Sequence, residues 1–236
     1  VHVEPAFAKL TVSLRVTGVR DDGYHLIDAE MVTLDLCDSL GFLDGDGLEV
    51  AGPRAAGVPA DSTNLVRRAL SAVGRRALVR LEKHIPAGAG LGGGSADAAA
   101  VLRWAGCSDL SVAASLGADV PFCVVGGRAR VRGVGEVVEP LPLEPRTFTL
   151  LVPPLAVDTA AVYRAWDRLG GPSAPEGSVN DLEAAALAVV PELAAWREAL
   201  ARASGRRPQL AGSGGTWFVE GEFPGDGRIV ARTVGR

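Results

Sequence analysis

The stretch "HIPAGAGLGGGSADAAA" (84–100) carries glycines at 88, 90, 92, 93 and 94 and then runs into alanines. Glycine loses more conformational freedom on ordering than any other residue, so a cluster this dense needs a use that offsets its cost. The run follows "ALVRLEKHI" (77–85), read as a strand, and leads into a helix expected from about Ser95 to Trp104. At such a junction glycines allow positive φ and close approach of the backbone. The helix start adds unpaired N–H groups and the positive end of the helix dipole. Together these make an anion site suited to phosphate. Ser95 is placed to cap the helix or to reach a phosphate or its metal. The small residues from Ala96 to Ala100 keep the first turns slim beside a bulky ligand.

Two phosphate motifs compete for this stretch. A P-loop has the form G-x-x-x-x-G-K-S/T, and no lysine follows these glycines. Gly88, Gly90 and Gly93 spell the G-x-G-x-x-G of a dinucleotide site, but that motif opens a βαβ unit. Here several expected strands and Pro86 come first. A glycine turn without a ligand is the bland alternative.

Upstream, "AFAKLTVSLRVTG" (6–18) and "IDAEMVTLDL" (27–36) alternate as strands around the turn signal "RDDGYH" (20–25). "GFLDGDGLEVAG" (41–52) reads as a hairpin about Asp44–Gly47. A helix is expected from Ser62–Asn64 to Gly74, with Leu65, Val66, Ala69, Leu70 and Val73 on one face. Downstream come a short helix (109–116), strand-like "FCVVGG" (122–127) and strand-like "RARVRGVGEVVEPL" (128–141). "LPLEPR" (141–146) reads as a linker and divides the chain into 1–145 and 146–236. The second part holds a strand (147–152), a helix (159–169), two further helices and a strand–glycine turn–strand, "QLAGSGGTWFVEG" (209–221).

The 236 residues are 47% hydrophobic and 22% charged, enough for a sizeable core and unlike a disordered chain. The net charge is −4, and no Lys/Arg run exceeds two residues, which argues against a nucleic-acid partner. Cys37, Cys107 and Cys123 form no C-x-x-C pair and read as reduced thiols. "FTLLVPPLAV" (148–157) is too short to span a bilayer, and Glu4 and Lys9 interrupt the first apolar run, so neither a span nor a signal peptide is expected. These features suggest a cytoplasmic protein without a membrane partner.

"PAGAGLGGGSADAAA" (86–100) resembles the glycine motif of the GHMP kinases, which hold ATP phosphates without a P-loop lysine. "AFAKLTVSLRVTGVRDDGYH" (6–25) is similar to that family's first motif, and "LAGSGGTWF" (210–218) to its third, a second glycine loop lying against the first. "SLGADVPFCVVGG" (115–127) is similar to the segment that carries the catalytic aspartate. The resemblance implies an α+β, two-lobed fold: an N-terminal lobe like domain 2 of ribosomal protein S5 and a ferredoxin-like C-terminal lobe. It implies a kinase that uses ATP and Mg2+ on a small-molecule alcohol.

The roles follow residue by residue. Lys9 and Asp119 would be the catalytic cation and the base. Asn64 would lie near adenine, and Pro86, Ala87, Gly88, Ala89, Gly90, Leu91, Gly92, Gly93, Gly94, Ser95 and Ala96 would hold the phosphates. Thr11, Tyr24, His25, Tyr163, Gly212, Ser213 and Gly214 would face the acceptor. The D-G-Y-H turn and two tyrosines favour an acceptor with a pyrimidine, a methylerythritol linked to cytidine diphosphate. A mevalonate- or homoserine-type acceptor, or a nucleotide-binding homologue without catalysis, are the alternatives. The residues alone allow blander roles: Asn64 as a helix cap, Asp97 as a helix-dipole acid, Tyr163 as a core residue, and Asn180–Asp181 as a cap. No metal ligand is assigned.

The chain departs from the family pattern at three places. Thr11 stands where asparagine is usual. "RWAGCSDLSVAASLG" (103–117) is shorter than usual, and little chain follows the third motif, so a terminal helix is expected to be short or absent.

Overall fold

The computed structural model describes residues 2–235 and contains two antiparallel-dominated sheets with helices on their faces. Its first element pair is a long hairpin, β1 (His2–Val19) and β2 (His25–Leu43), closed by the turn around Gly23. β2 also pairs with β4 (Leu78–Glu82) near its end and with β5 (Arg128–Gly133) near its start. β3 (Gly47–Ala51) lies outside β4, parallel to it, and β6 (Val137–Leu141) closes the other edge beside β5.

The expected hairpin at Asp44–Gly47 is therefore not a hairpin. β4 inserts between β2 and β3, giving the order β3-β4-β2-β5-β6. The turn residues were legible, but a strand's partner is chosen by which apolar faces bury together. Val79 and Leu81 of β4 are almost fully buried beside Leu40 and Phe42 of β2.

On this sheet lie α1 (Leu65–Ala72), α2 (Gly93–Trp104), α3 (Leu110–Leu116) and α4 (Val120–Val125). Asn64 caps α1, its side chain accepting from Val66 N at 2.8 Å, and Asp109 caps α3 in the same way. The first four residues of "FCVVGG", expected as a strand, form the body of α4, and Gly126 is its C-cap. A short apolar run fits a buried helix as well as a strand, and here Pro121 in the first turn and burial of Val120 to Val124 favour the helix. Between α2 and α4 the segment expected to be short holds a loop (105–109), α3 and the three residues 117–119.

The second sheet has β7 (Thr147–Leu151), β8 (Gln209–Leu210), β9 (Trp217–Glu220) and β10 (Arg228–Arg232) in the order β10-β7-β9-β8. All its pairings are antiparallel, and fourth-first-third-second is the ferredoxin-like order. Three helices, α5 (Thr159–Arg168), α6 (Glu183–Val189) and α7 (Leu193–Ser204), separate β7 from β8. Only a short irregular turn separates β9 from β10, and among the described residues no helix follows the third glycine motif. β10 itself was not foreseen from the sequence.

The sheets share a core. Ala8, Leu10 and Val12 of β1 pack with Val32, Leu34, Phe148, Leu150 and Phe218. Each such fully buried large side chain contributes roughly 1.5–3 kcal/mol. The opposite face of β1 is also covered, so Lys9 and Thr11 are buried although they alternate with apolar neighbours. Ladder irregularities at Phe7/Lys9 and Thr11/Ser13 bracket these two residues. Such bulges re-aim side chains, often beside functional sites.

Candidate active site

α2 begins at Gly93, two residues before the position expected, and its N-cap is Gly92 with φ 68°. No side chain caps it, so Ser95 lies in the first turn rather than at the cap. Gly92 cannot be replaced without conflict: a Cβ there would meet Lys9 Cγ at 2.7 Å. Lys9 N in turn donates to Leu91 O at 3.0 Å, tying the glycine loop to β1.

The two glycine loops meet backbone to backbone. A Cβ on Gly90 would fall 2.6 Å from Gly214 O, and one on Gly215 would fall 2.9 Å from Gly88 O. Thr216 Oγ1 donates to Ala89 O at 2.6 Å across the same seam. The second loop is held from below by Asn180, whose Nδ2 donates to Leu210 O at 2.9 Å and to Gly212 O at 2.6 Å. Asp181 beside it accepts from Arg15 Nη1 and Val16 N, both at 2.9 Å. Asn180–Asp181 thus fastens the second loop to β1, and Asn180 Oδ1 also accepts from Leu182 N, as a cap would.

A cavity of about 690 Å³ opens between the hairpin tip, the start of α2, the start of α4 and α5. Lys9, Thr11, Ser95 and Asp119 line its floor, and Gly212 and Ser213 its edge. Tyr24, His25 and Tyr163 form the far wall. Lys9 Nζ stands 3.1 Å from Asp119 Oδ2 and donates to Thr11 Oγ1 at 3.0 Å. Asp119 occupies the N-cap position of α4, but its side chain makes no cap hydrogen bond, which leaves the carboxylate for the cavity. The turn that presents it is backed by Gly135, where a Cβ would collide with Ala118 O at 2.3 Å.

On the far wall, His25 and Tyr163 rings lie 4.7 Å apart, and Trp166 meets His25 edge-on at 5.6 Å. His25 Nε2 donates to Asp167 Oδ1 at 2.8 Å, so in the neutral ring Nδ1 is an acceptor. Asp167 was missed in the sequence, although it follows Tyr163 by one helical turn on the same face of α5. Burial, with the Asp119 charge adding, pushes the Tyr163 phenol up to about 12, so it stays protonated. Tyr24 is 64% exposed at the hairpin tip.

The remaining expected residues lie away from this cavity's lining. Pro86 and Ala89 are buried in the first loop, while Ala87 and Gly88 are exposed. Asn64 is 9% exposed, with its amide donating to Pro59 O at 2.7 Å and its carbonyl serving as the α1 cap. Asp97 is neither at the dipole end nor in the cavity. It is buried beside Lys83, whose Nζ donates to it at 2.7 Å, and Lys83 also pairs with Asp38. No group of three or more His, Cys, Asp or Glu side chains able to hold a metal occurs among the described residues. Cys123, buried in α4, has its thiol pushed up to about 12 by burial. Among the described residues no helix is long and apolar enough to cross a membrane.

Residues 64–127 match the GHMP kinases N terminal domain family. The chain is 43% identical over 233 residues to 4-diphosphocytidyl-2-C-methyl-D-erythritol kinase of Paracoccus denitrificans (strain Pd 1222), covering 91% of this chain and 85% of that one. It is 41% identical to the protein of the same name from Cereibacter sphaeroides (strain ATCC 17025 / ATH 2.4.3), covering 90% and 87%. A crystal structure of 4-(cytidine 5'-diphospho)-2C-methyl-D-erythritol kinase superposes with a TM-score of 0.76 at 33% identity, covering 99% of this chain and 100% of that one. With the paired glycine loops and the Lys9–Asp119 contact already in view, the chain belongs to the GHMP kinases, in the family of 4-diphosphocytidyl-2-C-methyl-D-erythritol kinases.

Proposed function

We propose that this chain transfers the γ-phosphoryl group of ATP to the 2-hydroxyl of 4-diphosphocytidyl-2-C-methyl-D-erythritol, a step of non-mevalonate isoprenoid synthesis in the cytoplasm. The observation that carries this reading is the Lys9–Asp119 pair facing a cavity with the start of α2 on one side and an aromatic wall on the other.

ATP lies with its phosphates on the glycine loop from Pro86 to Ala96, where N–H groups at the start of α2 complement the negative charge. Asn64 contributes near adenine through its backbone setting, since its side chain is engaged in the α1 cap. The cytosine ring lies against Tyr24, His25 and Tyr163, and His25 Nδ1 accepts from its exocyclic amine. Gly212 and Ser213 with Thr11 border the methylerythritol portion. Asp119 takes the hydroxyl proton as the oxygen bonds to the γ-phosphorus. The bond from that phosphorus to the β-γ bridging oxygen breaks, and ADP leaves. Lys9, 3.1 Å from the Asp119 carboxylate, offsets charge on the transferring group. Phosphoryl transfer asks chiefly for positioning and charge stabilisation, which this pair provides.

Mg2+ bound to nucleotide needs few protein ligands because it keeps waters and phosphate oxygens. The donor set fits that demand: the Ser95 hydroxyl and the Asp119 carboxylate both line the cavity. When bound, the ion neutralises charge on the phosphate oxygens.

An ADP-release assay tests the proposal, with the cytidylyl substrate, mevalonate and homoserine offered in turn. Turnover confined to the cytidylyl substrate is expected. Turnover on another alcohol instead, or tight ATP binding with none phosphorylated, would overturn it.

A further inference from the structure

A buried charged triad lies beneath the first glycine loop. Asp38 on β2 is fully buried; its Oδ1 accepts from the backbone N–H of His84 and of Ile85, at 2.8 Å for Ile85. Those two residues open the loop. Its Oδ2 accepts from Lys83 Nζ. The same Nζ donates to Asp97 Oδ2 at 2.7 Å, in the second turn of α2, where the loop has ended. All three residues are at most 3% exposed. Gly93, the first residue of α2, sits directly over the lysine: a Cβ there would lie 3.3 Å from Nζ and 3.2 Å from Ile85 Cγ2.

The loop between these anchors gains little rigidity from its own residues. Gly88, Gly90 and Gly92 all adopt positive φ, and Ala87 and Gly88 are exposed. A chain this rich in glycine loses much entropy when it settles into one shape. If that loss fell at the moment of binding, nucleotide affinity would drop. Fixing both ends beforehand avoids it. Burying charged groups is seldom the most stabilising use of a core, so the triad points to a role beyond stability.

We propose that Asp38, Lys83 and Asp97 are positioning residues that clamp the two ends of the phosphate loop and thereby set the affinity for ATP. The inference rests on the reading of that loop as the ATP phosphate site. The clamp works by hydrogen-bond geometry: Lys83 needs an acceptor at position 97, whether charged or neutral. Burial raises the Asp97 carboxyl to about 7 against the pull of Lys83, and an oxygen of the protonated acid still accepts.

The test compares Asp97→Ala with Asp97→Asn. Lys83→Met would leave two carboxylates buried without a cation and is the variant at risk of misfolding. KM for ATP, KM for the cytidylyl substrate, equilibrium affinities for ATP and adenosine, and Tm are measured for each. In Asp97→Ala, KM and Kd for ATP should rise about ten- to a hundredfold, the scale on which small misplacements act. Adenosine affinity and KM for the cytidylyl substrate should stay within about twofold. Asp97→Asn keeps an acceptor and should recover most of the ATP affinity. A lowered Tm with unchanged ATP affinity would mean a purely structural triad and overturn the proposal. Gly94→Val serves as the separate check on the loop. If it leaves ATP binding intact, the phosphate site lies elsewhere, and the clamp falls with that reading rather than on its own.

Discussion

Lys9 Nζ on the first strand lies 3.1 Å from Asp119 Oδ2 at the start of α4, joining two segments distant in sequence across the cavity floor. The lysine side chain is 6% exposed and the carboxylate 32%, so one side of the pair is fixed in protein and the other faces the cavity. Asp119→Asn should retain ATP binding and lose about 10²–10⁴-fold in turnover. Lys9→Met should fall in the same range. The double variant should be little worse than the poorer single one, because paired catalytic residues act as a unit. Single-turnover rates of phosphoryl transfer check this; strictly additive losses would separate the two residues.

Two glycines of the same loop should respond differently to the same change. Gly88 and Gly90 have φ of 68° and 74°. A Cβ on Gly88 meets nothing within 4 Å, whereas one on Gly90 meets Gly214 O at 2.6 Å. Gly88→Ala should cost only the left-handed backbone strain, about 1–2 kcal/mol. Gly90→Ala carries that strain and also pushes the two loops apart, so it should lower Tm further and weaken ATP binding. Thermal melts with and without ATP distinguish the cases.

Tyr24 is exposed at the hairpin tip, so its removal should spare the fold. Tyr24→Ala is expected to leave Tm and KM for ATP unchanged while raising KM for the cytidylyl substrate about tenfold, within the roughly 1–3 kcal/mol of a base stack. Tyr163→Ala should also raise that KM, but with a loss of stability, since Tyr163 packs against His25 and the core. Steady-state kinetics with each substrate varied in turn provides the check.

Asp97 makes stability depend on pH in a particular direction. Burial is the main cause that lifts its folded value from 3.8 to about 7; the Asp38 charge adds to it, and Lys83 opposes it. Across α4 the Cys123 thiol also feels this charge, but with a value of about 12 it stays neutral throughout. Between these limits the folded state binds the proton more tightly than the unfolded chain. Its stabilising contribution is therefore full below about 4, falls as pH rises towards about 7, and is flat beyond. Asp97→Asn has no such group. The unfolding free energy of the wild type minus that of Asp97→Asn should decrease from pH 4 to 7 and then level, as read from urea titrations at fixed ionic strength. A flat difference would mean that Asp97 keeps its ordinary value.

The local signals were legible along the chain. Asn64 and Asp109 cap the helices that follow them, Gly205 ends α7 with φ 65°, and the glycine run stands between a strand and a helix. What was not legible depends on partners far away in sequence. "FCVVGG" became a helix because α4 packs into the core beside α2 and α3, where a buried helix satisfies its own backbone. Asp44–Gly47 turned without pairing its flanks because β4 competes for the edge of β2.

The sequence by itself determined the glycine loops, the lone lysine in an apolar strand, the aspartate after a helix end and the D-G-Y-H turn, because these are choices of residue type at one place. Only the tertiary structure decided that Lys9 meets Asp119, that Gly90 and Gly214 touch through bare backbone, that His25 is oriented by Asp167, and that Lys83 holds both Asp38 and Asp97. Those relations come from folding β1 against α2, α4 and the second loop at once. A buried charge or a missing Cβ acquires its meaning only from the atoms packed against it.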